Sequence, residues 1–241
     1  MKLLIIRHGE STNNLLHATT GGFEGRSPDP LLTPRGQQQA QSLAQAMIDG
    51  AQPAPTVIYC SLMSRAIQTA APLADALDLP IVGHPEIYEA GGPYEGDPAD
   101  PVPHPGASRS ELQALTPRIV LPTEAEESGW YHGHGEDDPA RAERGAMVIR
   151  QMVAAHAGQD CIVGLVCHEW IAQYLIRAAI GFHAVGGVAE PWMGMNNTGT
   201  TFIDMEQPVP VTETSHNGAS LERVLTWHNN TRHLPLDLIT G

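Results

Sequence analysis

Apolar residues form three short, nearly uninterrupted runs at residues 3–6, 56–60 and 161–167. Because these runs do not alternate with polar residues, they are typical of parallel strands that helices cover on both faces. Two later stretches, residues 200–204 and 221–227, alternate more strongly and are predicted to be edge or antiparallel strands. The pattern predicts a sheet in which most strands are parallel.

Helical periodicity is found in four segments, at about residues 34–49, 64–77, 140–157 and 169–180. Strands and helices alternate along most of the sequence, which predicts an α/β fold, a three-layer α/β/α sandwich with a mainly parallel sheet. In such sheets ligands bind beyond the carboxyl ends of the strands, so the residues that follow each strand are the first candidates for a site.

Composition narrows the class of protein. The 241 residues are 41% hydrophobic, enough for one large domain or two small ones, and a single domain over residues 1–241 is expected. The 13 Lys and Arg residues against 27 Asp and Glu residues give a net charge of −14, which repels nucleic acid and anionic membranes. Without a membrane-length apolar run or a signal peptide, a cytoplasmic protein is expected. The three cysteines are odd in number and are expected to be buried free thiols.

Residues 91–139 interrupt the alternation of strands and helices. They hold 8 of the 20 prolines, and their 10 acidic residues against 2 basic ones supply −8 of the net charge of −14. The segment is predicted to be a loop-rich insertion outside the core. Two interpretations stay open: the segment is a cap or lid over a site, or it is a solvent-exposed loop without a functional role.

Two histidines directly follow predicted strands. Arg7 and His8 come after the first apolar run, and His168 comes after residues 161–167. A single histidine at a strand end is usually structural, but two at equivalent strand ends indicate a site. These residues alone do not decide which imidazole would be a nucleophile.

Arg65 adds a second indication of chemistry. With Ser61 or Ser64 as the N-cap, it is expected in the first turn of the helix at residues 64–77. A cation there opposes the helix dipole, and a solvated surface arginine is one explanation. An arginine that shares a helix N-terminus with a bound anion is well placed, so the pattern indicates phosphate.

Five motifs carry a further signal. They are Leu-Ile-Ile-Arg-His-Gly-Glu-Ser at 4–11 with Asn14, Leu-Thr-Pro-Arg-Gly at 32–36 with Gln39, Ser61 with Arg-Ala-Ile-Gln-Thr-Ala at 65–70, Glu89 with Gly-Pro-Tyr-Glu-Gly at 92–96, and Val-Cys-His at 166–168. In this order and spacing they resemble the histidine phosphatase superfamily, the phosphoglycerate mutase-like family. The resemblance covers about residues 1–96 and 145–235 and implies that family's fold.

The resemblance also implies roles for these residues. His8 would be the nucleophile that forms a phosphohistidine, with its other nitrogen held by a backbone carbonyl. Arg7 and Arg65 would clamp the phosphoryl oxygens, which stay charged through a loose transition state. His168 would donate a hydrogen bond to the phosphoryl group, and Glu89 would protonate the leaving oxygen.

Three further residues are candidates near the phosphate. Asn14 is a predicted donor. Arg26 stands where the family often has the glycine of a Gln-Gly pair, and it is either a substrate contact or a solvated loop residue. Glu169 stands where the family commonly has glycine, after the second histidine. Its carboxylate could pair with an arginine or disfavour substrates that carry several negative charges.

The predicted activity is hydrolysis of a small phosphorylated metabolite through a phosphohistidine. Residues 89–96 lack the cationic residues that phosphoglycerate mutases of the family use there, which favours hydrolysis. The alternatives are mutase-type transfer and a catalytically silent phosphate-binding domain. The resemblance implies no metal, and no cofactor is expected. His132, His134 and Glu136 are acceptable metal ligands by type, but they lie in a glycine-rich acidic loop, so no metal site is predicted there. An acidic insertion closed over the site would favour neutral or cationic leaving groups.

Overall fold

The computed structural model describes residues 1–133, 135–182, 192–208 and 221–241. Its strands are β1 (Lys2–Arg7), β2 (Val57–Ser61), β3 (Ile81–His84), β4 (Tyr94–Glu95), β5 (Val102–Pro103), β6 (Ile119–Val120), β7 (Ile162–Cys167), β8 (Thr200–Pro208) and β9 (Leu221–Asn230). Its α-helices are α1 (Thr12–Thr20), α2 (Pro34–Ile48), α3 (Ser64–Leu77), α4 (Arg109–Leu115), α5 (Asp138–His156) and α6 (Glu169–Ile180). Within these described ranges, no helix has both the length and the apolar character that crossing a membrane requires.

Seven strands form the main sheet, in the order β6-β3-β2-β7-β1-β8-β9. All neighbours from β6 to β1 are parallel, whereas β8 is antiparallel to both β1 and β9. The predicted mainly parallel sheet, with antiparallel strands late in the chain, is confirmed.

Strand β1 shows why helices cover both faces of the sheet. Leu4 and Ile6 pack in an apolar cluster that includes residues of α2 and α3. Leu3 and Ile5 pack in a second cluster, with residues of α5 and α6. Successive side chains of a strand point to opposite faces, so an uninterrupted apolar run buries both. The predicted three-layer α/β/α sandwich is confirmed.

The acidic segment at residues 91–139 contributes to the core. Strand β6 is an edge strand of the main sheet, whereas β4 and β5 form a separate hairpin. Leu112, Ala125, Trp130 and Tyr131 are buried in the cluster that includes α2 and α3. The prediction that this insertion lies outside the core is therefore wrong. Its few apolar side chains are spread among prolines and acidic residues without a recognisable period, so the sequence pattern does not identify them as core residues.

The three cysteines are free thiols, as expected. Cys60 and Cys167 are buried, and burial raises the pKa of both thiols. Cys161, just before β7, is only partly buried, so the expectation of three buried thiols is wrong there. A thiol with a raised pKa is a poor nucleophile, which leaves Cys60 and Cys167 as packing residues.

The loop after β1 packs backbone to backbone against the start of α2. A Cβ added at Gly36 would overlap the carbonyl oxygen of Glu10, and one added at Gly9 would lie 2.5 Å from the carbonyl oxygen of Gly36. The Glu10 N–H donates to Gln39 Oε1 at 2.7 Å, and Glu10 Oε1 accepts from the Thr33 hydroxyl at 2.7 Å. Glycine at position 36 thus lets two of the sequence motifs meet.

Gly36→Ala is expected to destabilise the protein by about 3 kcal/mol or more, because the new methyl group overlaps backbone that also positions the loop after β1. Gly135→Ala is the matched control, since a Cβ there meets nothing within 4 Å; its effect should stay within about 0.5 kcal/mol. Urea unfolding measures both. A Gly36→Ala protein as stable as the control would contradict this close approach.

Candidate active site

Strands β1 and β7 are parallel neighbours, with Arg7 opposite Cys167, so the residues that follow them meet at one edge of the sheet. The His8 N–H donates to the Cys167 carbonyl oxygen at 2.9 Å. The ring centroids of His8 and His168 are 5.0 Å apart, and both imidazoles are buried. The fold thus brings the two strand-end histidines side by side.

The His8 imidazole has a defined orientation and tautomer. Its Nδ1 lies 2.6 Å from the Gly9 carbonyl oxygen, which can only accept, so Nδ1 carries the ring proton. Its Nε2 accepts a hydrogen bond from Arg65 Nε at 3.1 Å. Burial and the charges of Arg65 and Arg7 lower the pKa of His8 well below its ordinary value. The ring is therefore neutral, with a lone pair on Nε2.

Arg65 lies in the first turn of α3, as predicted, but the N-cap residue is Met63 and not Ser61 or Ser64. The capping acceptor is Asp29, which is distant in the chain. Its carboxylate accepts from the Ser64 N–H at 3.0 Å and from the Ser64 hydroxyl at 2.6 Å. Burial lowers the pKa of Arg65, and the charge of Asp29 opposes that change. A carboxylate and a guanidinium thus share this helix N-terminus.

Ser61 contacts His168 instead of capping a helix. Its Oγ lies 2.8 Å from His168 Nε2 and accepts the Met63 N–H at 3.2 Å. The serine hydroxyl can donate a hydrogen bond to Nε2, and in that tautomer of His168 the ring proton is on Nδ1. That Nδ1 is buried and has no hydrogen-bond partner within the described part of the chain. Burial and the charge of Arg65 lower the pKa of His168, so its ring is neutral too.

Arg7 is held from one side by Glu169. Arg7 Nη1 lies 3.0 Å from Glu169 Oε2 and also donates to the Met195 carbonyl oxygen. Of the two interpretations of Glu169, pairing with an arginine is confirmed. The Arg7 Nε is buried, and no described residue accepts from it. Burial lowers the pKa of Arg7, and the charges of Glu169 and Glu89 oppose that change.

Glu89 follows β3 and caps α6. Its Oε1 accepts the Ile171 N–H at 2.9 Å, and its Oε2 accepts the Trp170 N–H at 3.2 Å. The N-cap residue of α6, His168, makes no side-chain cap of its own. The carboxylate is therefore fixed by the helix that starts at the second histidine, within electrostatic range of Arg7.

The sequence matches the model of the histidine phosphatase superfamily (branch 1) over residues 3–217. The chain belongs to this superfamily. Over 153 residues it is 30% identical to a 2,3-bisphosphoglycerate-dependent phosphoglycerate mutase of Leifsonia xyli subsp. xyli, covering 61% of this chain and 58% of the mutase. An uncharacterized Mycobacterium tuberculosis protein is 34% identical over 92 residues, covering 38% of this chain and 42% of that protein. The matches span about half the length of these curated relatives.

Solved structures of the same fold include phosphatases. A mutant phosphoserine phosphatase from Entamoeba histolytica in complex with phosphoserine has a TM-score of 0.58 at 21% identity, covering 97% of this chain and 99% of that one. A mycobacterial glucosyl-3-phosphoglycerate phosphatase with inorganic phosphate has a TM-score of 0.58 at 20% identity, with the same coverage. At these identities the similarity supports the superfamily fold and leaves the substrate open.

Asn14 adjoins the histidine phosphatase motif at the start of α1. Its Oδ1 accepts from the Ser11 N–H at 3.0 Å and from the Ser11 hydroxyl at 2.9 Å. Asn197 Nδ2 bridges this oxygen, at 3.4 Å, to the His8 carbonyl oxygen, at 3.0 Å. The bonds that the Asn14 side chain makes to described residues all end on Oδ1. Its Nδ2 is therefore available as a donor.

Arg26 lies between the Asn14 region and the insertion. Its guanidinium is 3.5 Å from the centroid of the Tyr94 ring, and its Nη1 donates to the Tyr94 carbonyl oxygen at 2.7 Å. The charge of Arg26 contributes to lowering the pKa of Arg65, so the two cations are neighbours. An open cavity of about 620 Å³ is lined by Arg26 and by Gly22, Phe23, Glu24, Gly25, Gly96 and Asp97.

Of the residues that could suggest a metal site, Glu136 has other partners. The Glu136 carboxylate makes two hydrogen bonds of 2.7 Å to Arg144, and its Oε1 accepts from the Tyr88 hydroxyl at 3.0 Å. Arg144 is itself buried, so this pair anchors the end of the insertion to α5. His134 lies outside the described residues. No group of three metal-binding side chains is found in the described part of the chain.

His233 is connected to the backbone of His8 through Thr198, and no sequence pattern predicts this contact. Its Nε2 is 3.0 Å from the Thr198 hydroxyl, and the Thr198 N–H donates to the His8 carbonyl oxygen at 3.2 Å. Burial lowers the pKa of His233 to about 4. An isolated histidine near the C-terminal end of the sequence carries no motif, so only the fold reveals this contact.

Acidification is expected to destabilise the protein through His233. Its folded pKa is below the unfolded value of about 6.5, so the unfolded chain binds a proton that the folded chain does not. The free energy of unfolding is at its full value well above pH 6.5 and falls as the pH drops toward 4, by about 2 kcal/mol between pH 7 and pH 5. Urea unfolding of wild type and His233→Gln at pH 7 and pH 5 should show this part of the loss only in the wild type. Equal losses of stability in wild type and His233→Gln would contradict the assignment of this pH dependence to His233.

Proposed function

We propose that the chain is a phosphomonoester hydrolase that acts through a phosphohistidine on His8. One observation carries the proposal: neutral His8, with its lone pair on Nε2, directly follows Arg7, its ring centroid is 5.0 Å from that of His168, and each of these two neighbours has a buried donor without a partner among the described residues. Those donors are Arg7 Nε and His168 Nδ1. Buried polar groups without partners are costly, and a phosphoryl group would satisfy both.

The first half-reaction forms the N–P bond. The lone pair of His8 Nε2 attacks phosphorus, and the bond from phosphorus to the ester oxygen breaks. Arg65 Nε, which donates to Nε2 in this structure, would turn its donor to a phosphoryl oxygen. The leaving oxygen takes a proton from the carboxyl group of Glu89, which the α6 N-terminus holds in place.

The second half-reaction hydrolyses the phosphohistidine and regenerates the free enzyme. The Glu89 carboxylate takes a proton from water, and the oxygen of that water attacks phosphorus. The N–P bond then breaks, its electron pair returns to Nε2, and inorganic phosphate leaves. Arg7, Arg65, His168 and Asn14 would stabilise the phosphoryl oxygens in both steps, and no metal or cofactor takes part.

The domain organisation that we propose is one domain over residues 1–241, in which part of the insertion caps the site. The β4–β5 hairpin contacts the site through Tyr94, which stacks on Arg26. The remainder of residues 91–139 includes Trp130 and Tyr131, which are buried in the core. We therefore assign the cap to the hairpin, with the neighbouring cavity taking part of a small phosphorylated metabolite.

Mutase-type transfer is the second candidate, because the chain is 30% identical to a phosphoglycerate mutase over 153 residues. A panel of phosphomonoesters separates the two activities. We expect stoichiometric release of inorganic phosphate, unchanged by chelator, with no faster turnover when 3-phosphoglycerate is added. Transfer of label to added 3-phosphoglycerate without phosphate release would favour the mutase. Binding of phosphate without turnover of any ester would favour a catalytically silent domain.

A further inference from the structure

Glu169 places a carboxylate at the phosphate pocket. It is the first residue of α6, and its Oε2 lies 3.0 Å from Arg7 Nη1. Its Oε1 accepts the Met195 N–H at 3.3 Å. The side chain is 27% exposed, whereas that of Arg7 is 5% exposed. The carboxylate therefore lies between a buried cation and solvent.

The N-terminus of α6 also holds the carboxylate of Glu89, which we assign as the proton donor to the leaving oxygen. Glu89 accepts from the N–H groups of Trp170 and Ile171, the two residues after Glu169. Glu169 and Glu89 both act on Arg7 electrostatically. The alcohol part of an ester whose leaving oxygen is beside Glu89 would thus have two carboxylates nearby.

Exposed aromatic side chains adjoin the two carboxylates. Trp170 and Trp192 are 48% and 55% exposed, and their rings meet edge to face at 5.7 Å between centroids. A Cβ added at Gly194 would lie 3.6 Å from Trp192 Nε1 and 3.7 Å from Glu169 Oε1, so indole and carboxylate flank one glycine. Arg141 approaches the Trp170 ring at 5.6 Å, but its Nη1 is paired with Asp138 at 2.8 Å.

We propose that Glu169 is a specificity-determining residue that selects esters whose alcohol part carries no negative charge. The inference rests on the proposed function for the location of the leaving group. A residue that only oriented Arg7 would need no charge, since the oxygen of a glutamine side chain could accept the same hydrogen bond. The charge itself acts on the ligand, because like charges a few ångströms apart at a partly buried site repel.

Binding of two phosphonates tests the proposal without requiring turnover, because their C–P bonds are not hydrolysed. The ligands are 3-phosphonopropionate, which carries a carboxylate besides its phosphonate, and 3-methylbutylphosphonate, an analogue of similar shape in which an isopropyl group replaces the carboxylate. Calorimetry should show that wild type binds the ligand without the carboxylate more tightly. Glu169→Gln should improve the relative affinity for 3-phosphonopropionate about tenfold. Glu143→Gln, which removes an exposed carboxylate on α5, should leave the ratio within about twofold.

The outcomes separate this inference from the proposed function. If Glu169→Gln changes both affinities by the same factor, Glu169 only positions Arg7, and the specificity proposal fails while the phosphate site stands. If Glu169→Gln does not fold, the wild-type ratio decides, and equal or tighter binding of 3-phosphonopropionate overturns the proposal. If neither phosphonate binds to wild type, the phosphate site and the proposed function fail together with it.

Discussion

Replacing His8 with alanine is expected to lower kcat/KM by at least about 10⁴-fold for every ester that the wild type hydrolyses. The reason is geometric, because the Gly9 carbonyl oxygen fixes Nδ1 and leaves Nε2 of this neutral ring as the atom that would attack phosphorus. His168 cannot substitute for it, since Ser61 holds its Nε2. Initial rates of phosphate release measure the loss.

The control for this variant is His156→Ala. His156 ends α5 before β7 begins, and its Nε2 lies 3.0 Å from the Tyr59 hydroxyl, whereas His8 and His168 follow the carboxyl ends of β1 and β7. Its kcat/KM should stay within about twofold of wild type. A His8→Ala enzyme that kept more than about one hundredth of the wild-type rate would exclude His8 as the nucleophile.

Arg65→Met is expected to lower kcat/KM about 10³-fold, because the buried guanidinium would neutralise phosphoryl oxygens in the proposed reaction and the methionine side chain carries no charge or donor. A second effect separates this role from a loss of packing. The charge of Arg65 lowers the pKa of His8, so its removal should raise that pKa. Histidine resonances followed by NMR across pH should show His8 titrating at a higher pH in the variant.

Arg150→Met is the matched control for Arg65→Met. Arg150 forms an exposed pair with Glu143 on α5, so its loss should leave both activity and the titration of His8 unchanged. An Arg65→Met enzyme with wild-type kcat/KM, or with an unchanged pKa at His8, would contradict the assigned contact between Arg65 Nε and His8 Nε2.

The elements that the sequence predicts well are those with strong apolar patterns. The helices at residues 64–77 and 169–180 have the predicted bounds, and both bury one face against the sheet. The sequence pattern does not predict helix α1, because this helix has no buried residue and so shows no apolar period. The two-residue strands β4, β5 and β6 are too short to show any period.

The caps at the site explain why part of it could not be predicted. Asp29 caps α3 from 35 residues away, and Glu89 caps α6 from 82 residues away. Local capping rules look for a side chain next to the helix, and they favoured Ser61 or Ser64. Such long-range pairs depend on the order of strands in the sheet, which the sequence pattern does not specify.

Identification of the phosphorylated atom tests the central claim most directly. A labelled ester is mixed with enzyme, the reaction is quenched in alkali, and the labelled peptide is examined by mass spectrometry and ³¹P NMR. We expect base-stable, acid-labile label on His8 Nε2, formed before phosphate is released and absent from His8→Ala. Label on Nδ1 or on another residue, or phosphate release without any labelled protein, would contradict the account.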